Sequence, residues 1–241
     1  MFEASFHALF ALALLADPTA MLKRADAPHD AFAEGLIGLR VIVNEHGKKP
    51  VESFLDLFVK GKDDSLAVFG KGKQQGRKIL TVGDRVWLIV PGASRPVPVS
   101  KSQRLMGAAS FGDIARMRFA DTFDATVRAD DETVATAQGE LPCRVLDLTA
   151  KGGGAAYPKA VLWIGRDDGL PRKLRLSLAS GKEAKDVRFP AYGPDHRLKT
   201  MEIRDLLVAG GDNKTTLEFE RYESRALDPA MFEPAGARAV P

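Results

Sequence analysis

The sequence predicts a mainly β protein with a few helices, an antiparallel sheet of about ten strands curled toward barrel closure. Three observations carry that expectation. The hydrophobic period shifts from about 3.6 to about 2 at Leu36 and holds for most of the chain. Turn-forming residues separate the apolar segments at short intervals, which implies antiparallel neighbours in a meander. One helical stretch, 110–123, interrupts the rhythm. With 241 residues, no internal repeat and no linker, the chain reads as one domain able to bury its own core.

Residues 6–16 are almost entirely apolar. They are too few for a membrane span, which needs about 20, but match a signal-peptide core. Ala11, Ala13 and Ala16 offer cleavage sites before Asp17, whereas Glu3 and the lack of Lys or Arg before Lys23 depart from a basic leader. The alternatives are an apolar N-terminal helix of a cytosolic protein and a signal shortened by a misplaced start. The expectation is export, with 1–16 as signal peptide and 17–241 as the mature domain. No cysteine lies near the cleavage site, so that domain is expected to be soluble and not lipid-anchored.

Asp17-Pro18 reads as an N-cap followed by proline at the first helical position. Met21, Leu22 and Ala25 continue a short helix that ends near Ala27-Pro28, and a second helical stretch is expected from His29 to Glu34. In 36–43, Ile37, Leu39, Val41 and Val43 share a face; in 51–59, Val51, Leu55, Leu57 and Val59 do the same. Phe54 and Phe58 lie opposite, so this second strand is expected to be covered on both sides. Further strands read at about 64–69, 77–82, 85–90, 96–99, 143–149, 160–165, 172–178, 186–190, 198–207 and 214–223. Gly83-Asp84, Asp167-Asp168-Gly169-Leu170-Pro171 and Ser180-Gly181-Lys182 supply turns. In 110–123, Ser110 and Asp113 are spaced like a capping box, with Phe111, Ile114, Ala115 and Met117 at helical spacing. Spacing alone favours a core helix plugging the barrel over a lid. Residues 150–157, with three successive glycines, read as a flexible loop.

The chemistry-bearing inventory is thin. Lys plus Arg number 35 and Asp plus Glu 32, a net charge of +3 that argues against a dedicated nucleic-acid binder. The single Cys143 rules out a Cys-rich zinc site and an internal disulfide, and reads as a packing residue. His29, His46 and His196 fall in expected loops without a companion at metal-ligand spacing. No Gly-x-Ser-x-Gly elbow is present. The basic segment 70–78 has glycines and lysines, but its Gly76 is followed by Arg77 without the hydroxyl residue of a P-loop, so it reads as a solvated loop. The acidic groups Asp63-Asp64, Asp130-Asp131-Glu132 and Asp167-Asp168 are assigned to turns. The expectation is no enzyme, no cofactor and no metal, and a binder of something apolar.

Several stretches in order resemble the LolA-like family of outer-membrane lipoprotein-sorting proteins. They are Ile79-Leu80-Thr81-Val82-Gly83-Asp84-Arg85-Val86-Trp87-Leu88-Ile89-Val90-Pro91, the ending Leu227-Asp228-Pro229-Ala230-Met231-Phe232-Glu233-Pro234, and the opening helix Met21-Leu22-Lys23-Arg24-Ala25-Asp26. The hairpin Leu162–Gly165 to Gly169–Pro171 and the segment Gly107–Asp113 are similar as well. The resemblance implies an incomplete, half-open antiparallel β-barrel of about eleven strands covered by helices, with residues 110–123 as a lid rather than a plug. It implies a monomeric periplasmic carrier that encloses acyl chains of lipoproteins or lipids and ferries them from an inner-membrane transporter to an outer-membrane acceptor. Where the best-known carriers have an Arg-Pro motif leading into a lid-holding arginine, this chain has the 70–78 loop, and Arg77 is not assigned that role. Leu39, Val41, Leu55, Leu57, Leu80, Trp87 and Ile89 are expected to line the sheet side of the cavity, with Met106, Phe111, Ile114 and Met117 covering it. Two other classes remain open. One is a lipoprotein-sensing or exporter-partner module of the same fold; the other is an enzyme built around a convergent Arg40, Glu202 and Glu218.

Overall fold

Asp17 caps helix α1 (Pro18–Asp26) through its carboxylate, which accepts the Thr19 amide at 2.9 Å, and Pro18 fills the first helical position. The computed structural model describes residues 17–29, 33–72, 74–99, 117–136, 138–152, 155–208 and 213–240. The expected signal peptide, and Met106, Phe111 and Ile114 of the expected lid, lie outside them. Lys23 and Arg24 sit in the last turn of α1, where they face its negative end. A 3₁₀ turn, Ala27–His29, follows. The helical stretch expected up to Glu34 does not reach that residue. Gly61 donates to the Ala33 carbonyl at 2.7 Å, so strand pairing has already claimed the backbone there.

Thirteen strands form one antiparallel sheet among the described residues. The first meander comprises β1 (Glu34–Asn44), β2 (Val51–Lys60), β3 (Asp64–Gly72), β4 (Lys78–Val82), β5 (Arg85–Ile89) and the short β6 (Val97–Pro98). The second comprises β7 (Phe123–Thr136), β8 (Gly139–Ala150), β9 (Lys159–Gly165), β10 (Pro171–Ser177), β11 (Glu183–Tyr192), β12 (Leu198–Asp205) and β13 (Lys214–Ser224). Pairing of β1 with β13 joins the two, giving the order β6-β5-β4-β3-β2-β1-β13-β12-β11-β10-β9-β8-β7. Among the described residues the sheet is not closed, and β6 and β7 stand at the two ends of that order.

The strand count exceeds the expected eleven, and the main addition is β7. Its Asp130-Asp131-Glu132 run was expected to turn, but shifts in register between Val127 and Ala129 and between Ala129 and Glu132 accommodate it within a long hairpin with β8. The helix expected over 110–123 is represented among the described residues by one turn, α2 (Phe119–Thr122), and Phe123 already begins β7. Covering helices are correspondingly few: α1 and α2 lie on one face, which we term inner, and α3 (Pro234–Ala239) lies on the outer face with the 3₁₀ turn Pro229–Phe232.

Asp26 connects the inner helices. Its carboxylate accepts the Phe119 amide at 2.6 Å and the Ala120 amide at 2.9 Å, satisfying the otherwise orphaned start of α2. Burial pushes its pKa up, against the opposing effect of those two amides and nearby Arg118.

Candidate ligand-binding face

Strand alternation sends Leu39, Val41, Leu55 and Leu57 to the inner face. There they join a core running from α1 (Met21, Leu22, Ala25) across β8–β13 through Leu148, Leu162, Leu176, Phe189, Met201 and Leu217. Leu39, Val41 and Leu57 are buried, while Leu55 is only partly so. Ile37, Val43, Val59 and Ala67 also remain partly open against this core. Met117 packs on the same cluster. The inner face is therefore closed by α1 and α2 toward β7 and less completely buried toward β1–β3.

Leu80, Trp87 and Ile89 do not share that face. Cross-strand pairing links Leu36 to Phe58, Phe58 to Leu66, Leu66 to Leu80 and Leu80 to Trp87, and partners in a ladder point the same way. These residues, with Ile89, form a separate outer cluster capped by Leu227, Phe232 and Ala237 of the C-terminal segment. The seven sheet residues expected to line one cavity are thus divided between two sides. The inner-face residues of the β4–β5 hairpin are instead the pairs Ile79–Leu88 and Thr81–Val86, with Ile79 also opposite Ala67. The signal that finds them is the register of β4 on β3, Ala67 opposite Ile79 and Leu66 opposite Leu80, not alternation within either strand.

Two phenols finish inside as well. Tyr192 donates to the Pro171 carbonyl at 2.6 Å and Tyr222 to the Leu198 carbonyl at 2.7 Å. Burial pushes both pKa values up, so both hydroxyls stay protonated donors. Cys143 sits in a third apolar cluster with Val134, Val145 and Trp163, and burial raises its thiol pKa, consistent with a packing role.

Lys78, from the basic 70–78 segment, is buried and donates to the carbonyls of Ala237 at 3.1 Å, Arg238 at 2.9 Å and Val240. Of the residues considered for an enzyme, Arg40 meets Glu218 at 3.0 Å and also Glu52 at 3.0 Å, while Glu202 pairs with Lys214 at 2.8 Å. In place of a three-residue convergence, these side chains form three ion pairs on the outer surface, two of them shared by Arg40.

A family model described as an uncharacterized protein, DUF1329, matches residues 61–236. The chain belongs to this family, and its fold is LolA-like. The DUF1329 chain superposes on a LolA superfamily protein from Nitrosomonas europaea with a TM-score of 0.74 at 21% identity, covering 90% of this chain and 97% of that one. A DUF1329 family protein from Desulfovibrio piger gives 0.72 at 19% identity, covering 91% and 98%. A putative outer membrane lipoprotein-sorting protein domain from Vibrio parahaemolyticus gives 0.71 at 16% identity, covering 91% and 97%. No curated protein matches the sequence. Among the described residues of this DUF1329 chain, no helix is long and apolar enough to cross a membrane.

Proposed function

We propose that the protein is a periplasmic carrier rather than an enzyme. It shields acyl chains of lipoproteins or lipids against the inner face of the sheet and carries them from an inner-membrane donor toward an outer-membrane acceptor. The observation that carries this reading is the partly open aliphatic surface of Ile37, Leu55, Val59 and Ala67, continuous with the buried core beneath α1. Its chemistry suits a linear hydrocarbon and offers little to a polar substrate. Each methylene moved from water onto such a surface gains about 0.8 kcal/mol, so a dozen would gain on the order of 10 kcal/mol. That gain is comparable to the cost of leaving a bilayer, which keeps transfer reversible. The LolA-like fold supports the reading, since the Vibrio relative is described as a lipoprotein-sorting domain.

The test is displacement of a fluorescent fatty-acid probe from the purified protein by unlabelled acyl chains, together with mass spectrometry of co-purifying lipids. Saturable, competable binding is expected. Absence of both probe binding and extracted lipid would sink the carrier reading.

A further inference from the structure

The outer face carries a second, chemically different site. The bulges in β7 bend its far end over the sheet: Trp163 Nε1 on β9 donates to Glu132 at 2.7 Å, and Arg166 meets Asp131 at 2.6 Å. Between that bent end, at Ala135 and Thr136, and the outer surface of β10–β12 lies a groove of about 440 Å³. Arg172, Arg175, Arg188 and Arg204 line it, against Glu183, Asp186 and Glu202.

Its acids are already engaged. Glu202 belongs to Lys214, and the nearly buried Asp186 is shared by Arg188 at 3.0 Å, Arg175 at 3.4 Å and Lys173 at 3.9 Å. Glu183 is held by Arg175 at 2.9 Å. Arg172 pairs with Asp168, yet it is 8% exposed and its Nε has no acceptor; the buried Nε of Arg175 has none either. Arg188 uses only its Nε on Asp186, and exposed Arg204 makes no ion pair among the described residues. Guanidinium groups offer five N–H donors each, so this groove holds many unspent donors around over-neutralised carboxylates. Such an excess of planar donors fits a tetrahedral oxyanion.

We propose that the groove binds a phosphate group, and that the phosphate belongs to a membrane lipid headgroup. The source follows from the groove's rim. Leu206 lines it, and Leu206, Leu207 and Val208 are three successive exposed apolar side chains. Arginines for the headgroup beside aliphatic groups for the acyl boundary match the two layers of a bilayer surface. The site lies on the face opposite the acyl-binding surface and does not depend on it.

Binding of inorganic phosphate, measured by calorimetry, and co-sedimentation with phosphatidylcholine vesicles, with and without phosphatidylglycerol, test the proposal on the full chain. Wild-type protein should bind phosphate and favour the phosphatidylglycerol vesicles. Arg204→Gln, at an exposed unpaired position, should weaken both about tenfold, the loss of one charge-assisted contact. Leu207→Ser should weaken vesicle binding alone, and both variants should keep fatty-acid probe binding. Phosphate binding without vesicle binding would overturn the lipid source and leave a free-phosphate site. Failure of the wild type to bind either, or an unchanged Arg204→Gln, would overturn the site itself.

Discussion

Lys78 on β4 donates to the carbonyl of Ala237 in α3 at 3.1 Å, and its other acceptors are the carbonyls of Arg238 and Val240. Three ammonium hydrogens thus meet three backbone oxygens at the chain's end, where a helix leaves its last carbonyls unpaired. Burial pushes the Lys78 pKa down, and these acceptors provide its compensation. The clasp fixes the segment that covers Leu66, Leu80 and Ile89.

Lys78→Met should lower stability by about 1–3 kcal/mol, because buried carbonyls lose their donor. Limited proteolysis should then remove the C-terminal segment first. A tail as resistant as that of the wild type would show that apolar packing alone retains it.

The two faces should respond differently to substitution. Leu55→Glu, at a partly open inner position, should reduce acyl-probe affinity at least about tenfold with a small change in melting temperature, since a charge would face the hydrocarbon. Leu80→Ala, in the outer cluster, should cost about 2–5 kcal/mol through its cavity and leave probe affinity of the folded protein unchanged. A reversed pattern would place the ligand beneath the C-terminal segment.

Asp26 predicts a pH dependence. Its carboxyl pKa is raised above the ordinary 3.8 in the folded state, so between those two values the folded chain holds more proton than the unfolded one. Its contribution to stability is full below 3.8 and is lost as pH rises through the folded value. Thermal melts should therefore show wild type losing ground to Asp26→Asn from acid to neutral pH. Asp26→Ala removes the cap of α2 altogether and should cost about 1–2 kcal/mol in acid, with a smaller deficit at neutral pH.

Cys143 should be silent toward a thiol reagent in the native state at neutral pH, since its thiol is buried and its pKa raised. Labelling should proceed at the rate of unfolding, measured independently by tryptophan fluorescence. Faster labelling would reveal local opening of the β7–β9 cluster.

Much of the architecture was legible because strands with short turns advertise themselves. Every expected strand has a counterpart in the sheet, and Asp17-Pro18 starts α1 as its side-chain chemistry requires. The face assignment of β4–β5 was not legible. In β3, Leu66 and Val68 face outward while Ala67 and Phe69 face inward, so both sides look apolar and alternation cannot say which continues the inner face. Only the register, Leu66 opposite Leu80 and Ala67 opposite Ile79, separates them. β7 escaped for another reason: its acidic run has the composition of a turn, and tertiary pairing with β8 overrides it.

The adjacency of β1 and β13 also sets a timetable. Arg40 and Glu218, which face each other across that seam, are 178 residues apart in the chain. During synthesis the first strand keeps one edge unsatisfied until nearly the whole polypeptide exists, and loop closure over such a distance is slow. The C-terminal clasp is later still. The seam between the two meanders therefore closes only after β13 has emerged, and β1 waits for that partner through most of the sequence.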